Sequence, residues 1–246
     1  MPGMDGPAIC RRLRDRANAP FIYTILLTSR RDEEGLVNAL DNGAHGFLVK
    51  PVAAEELRSH VNVGLRLVES EDQLKRYANE MERLATTDPL TGASNRRHFF
   101  DHAQRELVRS HRYHHPFCVL ILDLDHFKRI NDTCGHAVGD DVLRGAAKAC
   151  RDTLRKNDLF ARIGGEEFVA LLPETGEASG VEAAERLRAA IRAIPAPALT
   201  GPITASVGVA AYSGKGETID ILLRRADEAL YKAKAQGRDR VATWSP

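Results

Sequence analysis

The sequence predicts an α/β fold of the α+β kind: a short α/β segment, one long helix, then a larger domain in which helices and strands alternate. Three observations carry this. Apolar runs flank a helix-period segment within residues 1–52, and residues 53–86 keep a helical pattern with no proline or glycine run. After Asp88-Pro89 the pattern alternates around a glycine-centred hairpin. The implied domains are 1–52, 53–86 and 87–246. With 246 residues there is room for a real core, and a net charge of +1 with 28% charged residues gives no basic excess for nucleic acid. Cys10, Cys118, Cys134 and Cys150 lack metal or redox spacing, so reduced thiols are expected. No long apolar run or secretory leader is present, so a cytoplasmic protein without membrane insertion is expected.

In chain order, Met1 to Gly6 is loop chemistry. Phe21 to Leu27 is a strand apolar on both faces, as in a buried parallel sheet. Arg31 to Leu40 reads as a helix and Phe47 to Val49 as a strand. Partner strands are too few to bury the first, so this region is expected to pack poorly or to borrow a partner. From Ala53 to Ala85 a single helix carries two apolar seams, Val61-Leu65-Val68 and Leu74-Tyr77-Met81-Leu84, at coiled-coil spacing with a phase slip between them. Thr86-Thr87-Asp88-Pro89 ends it, because a residue before proline is pushed out of the helical region.

Ser94 is placed to cap a helix from Asn95 to Arg112. His111, His114 and His115 lie at its polar end and do not read as a metal site. Cys118 to Asp125 is a strand that stays apolar on both sides until Asp123 and Asp125, hence a central strand delivering carboxylates at the sheet edge. A helix from Gly139 to Lys156 buries Val142, Ala146, Cys150 and Leu154. The hairpin follows, its strands joined by Gly164-Gly165, since glycine supplies the positive φ a two-residue turn needs. A helix with Ala184, Leu187, Ile191 and Ile194 inward, a strand at Ile203 to Tyr212, a helix at Ile219 to Ala235 and a strand at Arg240 to Thr243 complete the chain.

Two carboxylates at neighbouring strand tips, Asp123 and Glu166, suit magnesium, a hard cation that takes oxygen ligands. Lys128 adds a cation just beyond them, Asn131 offers donors and an acceptor to a purine edge, and Asp140 can accept from guanine. Lys234 and Arg238 flank Gly237 at a helix end. Each has an ordinary alternative: a polar hairpin tip, an acid in a first helical turn, cations against a helix dipole.

Together these segments resemble the GGDEF-domain diguanylate cyclases. The resemblance rests on Asp88-Pro-Leu-Thr-Gly with Asn95-Arg-Arg, on Asp123-Leu-Asp-His-Phe-Lys128 with Asn131-Asp132, and on Gly135-His136 with Gly139-Asp140. Gly164-Gly-Glu-Glu-Phe168 and Ala229-Leu-Tyr-Lys-Ala-Lys234 with Gly237-Arg238 complete it. It covers Thr87 to Thr243. It implies a palm-like domain, a central mostly antiparallel sheet flanked by helices, that condenses two GTP into cyclic di-GMP and two pyrophosphates. By matching position Asp123, the carbonyl of Leu124, Glu166 and Glu167 would hold Mg2+ (or Mn2+), two ions per active site, on the bare Gly164-Gly165 hairpin, with Glu166 assisting deprotonation. Asn131 and Asp140 would read guanine; Phe127, Lys128, Lys234 and Arg238 would take the phosphates. Because one site holds one GTP, catalysis would need a homodimer, which the helical seam could supply.

Arg155-Lys-Asn-Asp158 matches the family's product-inhibition pattern, with Arg186 as a second arginine across the dimer, so cyclic di-GMP is expected as product and inhibitor. Met1 to Gly6, Thr28-Ser29 and Lys50-Pro51 resemble the second half of a response-regulator receiver, a partial doubly wound fragment without the phosphoacceptor. Thr28 and Lys50 match phosphoryl-sensing positions, yet structural roles at strand ends suit them better here. Ala93-Ser94, Cys134 and Asp239 depart from the usual pattern away from the inferred site. The alternative reading is a catalytically silent cyclic di-GMP receptor, or a regulator that forms heterodimers with receiver-containing homologues.

Overall fold

The computed structural model describes residues 5–16, 20–29, 37, 40–214 and 216–245. The opening Met1–Met4 stretch and nearly all of the helix expected over 31–40 lie outside the described residues. The chain divides into two compact units, Met1–Met81 and Glu82–Pro246.

In the first unit, α1 (Gly6–Arg14) is capped by Asp5, whose carboxylate accepts from the Ala8 amide at 2.9 Å. Strands β1 (Ile25–Thr28) and β2 (Gly46–Val49) pair in parallel. The first strand is shorter than the Phe21–Leu27 run, since only Ile25 to Thr28 find partners on β2. Its Leu27 is 50% exposed, and the buried cluster here is small, Cys10 and Ala44 with Leu26 against them. Thr28 and Lys50 end the two strands side by side, the Lys50 amide donating to the Thr28 carbonyl at 2.7 Å. Helix α2 (Ala54–Thr86) leaves Val61, Leu65, Leu74, Tyr77, Met81 and Leu84 exposed, so both apolar seams face outward. No helix among the described residues is long and apolar enough to cross a membrane.

The second unit is a six-stranded sheet in the order β3-β5-β6-β4-β7-β8, made of β3 (Ser94–Asn95), β4 (Phe117–Leu124), β5 (Leu159–Gly164), β6 (Glu167–Pro173), β7 (Ala205–Ala211) and β8 (Val241–Thr243). The four inner strands are antiparallel and both edge pairs are parallel. β4 is buried at every position, as its two apolar faces require. One face, with Leu120, Leu122 and Phe168, packs against α5 (His136–Thr153) and α6 (Glu177–Arg192). The other, with Val119, Ile121 and Val169, packs against α3 (Arg96–Tyr113) and α7 (Ile219–Ala235). Each fully buried large apolar side chain contributes roughly 1.5–3 kcal/mol, so this sheet fixes the geometry of whatever its ends carry.

Several elements differ from the sequence expectation. Ser94 enters β3, and the cap of α3 is Asn95, whose Oδ1 accepts from the His98 amide at 2.9 Å. A short helix, α4 (Phe127–Cys134), follows β4, and α5 begins at His136 rather than Gly139. Asp140 therefore sits in the second turn, where the helix-dipole explanation for its charge weakens. The hairpin turn is Gly165-Glu166, since Gly164 still pairs with Glu167 and only Gly165 of the two glycines has a positive φ, 48°.

Candidate active site

Register decides which carboxylates meet. On antiparallel β4 and β6, Asp123 is directly opposite Glu167, and the Leu124 amide donates to the Glu166 carbonyl at 3.4 Å. By strand alternation Asp123 shares the face of Ile121, toward α7, where Lys234 places its ammonium 2.9 Å from Asp123 Oδ2. Burial pushes the Asp123 carboxyl up, Lys234 partly offsets this, and the charges of Glu166 and Asp125 push it further. Glu167, though exposed along one side, is also raised, by partial burial first and then by Asp123. Acids held this way favour a divalent cation, which needs them ionised and supplies the charge they lack.

The donor set fits a hard cation: Asp123, the hairpin glutamates and the backbone at Leu124, whose side chain is buried, provide oxygen only. Among the described residues no group of three or more metal-ligating side chains is preassembled. Such a site must take further oxygens from solvent or from a bound phosphate, as magnesium commonly does.

Asp125 plays a different part. Its oxygens accept from Thr204 Oγ1 at 2.8 Å, Ser206 Oγ at 2.7 Å and the Asp239 amide at 3.1 Å. Asp239 in turn binds Arg188 at 2.7 Å and also Arg192. This departure from the family pattern thus ties α6 to the loop after α7. In that loop Gly237, Arg238 and Asp239 all have positive φ. Only glycine adopts this without strain, so the two side-chain-bearing residues are held by their contacts.

Asn131, expected to meet a purine edge, lies close to the backbone at a glycine. A Cβ at Gly139 would lie 1.9 Å from Asn131 Oδ1, so the Asn131 amide rests against the backbone of α5 beside half-buried Asp140. Phe127 is 6% exposed, so only its backbone is available to a ligand, whereas Lys128 and Arg238 are exposed.

Arg162 and Asp88 brace the hairpin, a role the sequence alone does not assign to either. Arg162 Nε donates to the Gly165 carbonyl at 2.8 Å, while its NH1 reaches Asp88 Oδ1 at 3.2 Å. Asp88 also accepts from the Thr91 amide at 2.9 Å and hydroxyl at 2.6 Å. The turn that carries Glu166 is thereby fixed to the loop that ends α2. The signal was present as an arginine two residues before the glycines, with no partner evident in sequence.

A second cleft lies at the opposite end of β6. A cleft of about 860 Å3 is lined by residues of α3, by Arg155 and Asp158, and by Pro173 and Glu174. Asp158 Oδ2 accepts from the Arg155 amide at 2.9 Å, which shapes the tight turn before β5. Arg186, exposed on α6, does not line this cleft.

A mixed sheet whose hairpin tip sets Asp123 opposite Glu167, preceded in sequence by a parallel α/β unit and a long helix, is the arrangement of a GGDEF-type output protein of the response-regulator class. The chain belongs to the family described as diguanylate cyclase, GGDEF domain, whose model matches residues 85–240; a response regulator receiver domain model matches residues 1–62. The chain is 35% identical over 241 residues to the response regulator PleD of Caulobacter vibrioides, covering 96% of this chain and 53% of PleD. It is 46% identical over 167 residues to the diguanylate cyclase DgcP of Pseudomonas aeruginosa, covering 67% of this chain and 25% of DgcP. The chain thus spans about half or less of these curated relatives. The coiled coil and GGDEF domain of DgcB from Caulobacter crescentus, solved in complex with c-di-GMP, matches with a TM-score of 0.64 at 32% identity, covering 74% of this chain and 98% of that one.

Proposed function

We infer that this chain is a diguanylate cyclase: it joins two GTP molecules into cyclic di-GMP with release of two pyrophosphates. The observation that supports this most is the Asp123–Glu167 pairing at the hairpin tip, with Lys234 against Asp123. Asn131 and Asp140 orient guanine. Lys128, Lys234 and Arg238 neutralise the triphosphate. Asp123, the Leu124 carbonyl, Glu166 and Glu167 would hold Mg2+ or Mn2+, two ions per active site. A divalent cation held there would supply the charge that lowers the pKa of the attacking 3′-hydroxyl and offsets charge on the leaving pyrophosphate. Glu166, on the turn, is placed to assist removal of that proton.

One hairpin holds one GTP, so two chains must face each other across a two-fold axis. The exposed seams of α2 are the surface on which they pair. The same function places the protein in the cytoplasm, where GTP is available. Arg155 and Asp158 form the product-inhibition site. Incubation of the purified chain with GTP and Mg2+, with nucleotides resolved by chromatography, tests the reading: product from wild type and none from Glu166→Ala is expected, and a folded dimer that yields no cyclic di-GMP refutes it.

A further inference from the structure

Glu106 has no part in the chemistry above, and its burial requires an explanation. It sits on the inward face of α3 with Phe99, Ala103 and Ser110 and is 8% exposed. Its Oε2 forms an i,i+3 ion pair with Arg109 NH1 at 3.6 Å, too long for a hydrogen bond, while its Oε1 is buried with no hydrogen-bond partner among the described residues. Folded proteins retain few such groups, because an orphaned acceptor forfeits its hydration and gains nothing in return. Leucine at this position would satisfy the core. A carboxylate that weakens the core and lines a cleft is best explained by what enters the cleft.

Glu106 lines the cleft that holds Arg155 and Asp158. The rim is cationic, with Arg105, Arg155 and Lys156, and no intramolecular partner engages the Arg155 guanidinium among the described residues. Arg109 is already bound to Glu174. Anionic groups of a ligand therefore have their partners at the rim, and the floor offers an acceptor. Asp158 has one oxygen engaged by the Arg155 amide, which takes up part of its acceptor capacity.

We propose that Glu106 is a base-reading residue of this cleft, accepting an N–H of a guanine Watson–Crick edge while the arginines take the phosphates. The inference rests on the reading of the cleft as a nucleotide inhibition site. Guanine presents two adjacent donors, N1–H and the N2 amino group, to which a carboxylate is complementary. Adenine presents an unprotonated N1 at the same place, and its lone pair faces the carboxylate oxygen unfavourably, so the residue excludes adenine as well as admitting guanine. The terminal carboxylate torsion of glutamate is soft, so either oxygen can be turned to the base. A ligand with two guanines can engage Asp158 with one and Glu106 with the other.

The test is calorimetric titration of the full chain with cyclic di-GMP and with cyclic di-AMP. Wild type is expected to prefer the guanine ligand. Glu106→Gln keeps the shape but offers a donor as well as an acceptor, and should weaken cyclic di-GMP binding about tenfold or more while narrowing the preference over cyclic di-AMP. Glu106→Leu should lose as much affinity with an unchanged or higher melting temperature, which a purely structural role would not give. If both variants retain affinity and preference while Arg155→Ala abolishes binding, the cleft reading stands and the proposal for Glu106 is overturned. Binding lost only in proportion to lost folding overturns it too. Undiminished binding by Arg155→Ala removes the cleft reading itself.

Discussion

Replacing Arg162 by alanine separates what the hairpin brace does for stability from what it does for the site. The side chain is 14% exposed and joins the Gly165 carbonyl at 2.8 Å to Asp88 at 3.2 and 3.4 Å. A charge-assisted contact of this kind is worth ~1.5–3 kcal/mol. Asp88 keeps both Thr91 donors, and the Gly165 carbonyl can turn to water, so the lower part of that range applies, about 2 kcal/mol. For a domain of this size that lowers the melting temperature by roughly 4–8 °C. Burial pushes the Asp88 carboxyl up, but the Thr91 donors and the Arg162 charge outweigh it and hold it below its ordinary range. A carboxyl lowered in the folded state adds stability above its unfolded pKa and loses it as pH falls through the folded value. The deficit of Arg162→Ala should therefore be full near neutrality and shrink in acid. In the cyclase assay kcat should fall on the order of 10²-fold, the cost of displacing catalytic groups by about 1 Å. KM for GTP should change little, since Asn131 and Asp140 are untouched. Arg162→Lys should recover part of the stability and little of the rate, because a single ammonium cannot reproduce the separate Nε and NH1 contacts of the guanidinium fork. A full loss of melting temperature with kcat unchanged refutes the positioning argument, and an unchanged melting temperature refutes the contact.

Asp123→Asn should abolish activity yet leave the melting temperature unchanged or raised in thermal scans, because it removes a buried charge repelled by Glu166 and Asp125. Since Asp123 and Glu167 have folded pKa values above their unfolded ones, ionising them costs stability as pH rises between the two. Metal binding requires that ionisation, so titrations of Mn2+ binding against pH should weaken on acidification beginning above the usual carboxylate range. A chelator should stop turnover, with recovery on adding Mg2+. Gly208→Ala should destabilise by about 3 kcal/mol in denaturant titration, because the added Cβ would meet the Ala226 carbonyl at 2.0 Å and the Leu230 nitrogen at 2.4 Å, both backbone atoms of α7.

What was legible in the sequence was carried by periodicity and by residues that act locally. β4 was recognisable as a central strand because both faces are apolar until Asp123, and α7 because its stripe repeats without a break. The short helix α4 was missed because eight residues give too few repeats for a period to emerge, and it begins with a residue at positive φ, His126, rather than a capping side chain. The turn slipped by one residue because two glycines in sequence do not say which takes the positive φ; the antiparallel register does. Asp123 and Glu166 could be proposed from type and position. That Asp123 faces Glu167 and Lys234 depends on strand register and helix packing. Arg162, Asp88 and Glu106 find their places through contacts or burial set by distant segments. Glu106 left one trace, an acid at the core-facing spacing of α3.

In the proposed reaction two hairpin tips on separate chains meet around two GTP molecules. The most direct measurement is the specific rate of cyclic di-GMP formation as the concentration of the chain is varied at saturating GTP and Mg2+. The rate per chain is expected to rise with concentration and to level off as dimers, followed in parallel by sedimentation, become complete. A rate per chain that stays constant into the range where only monomers sediment would contradict it.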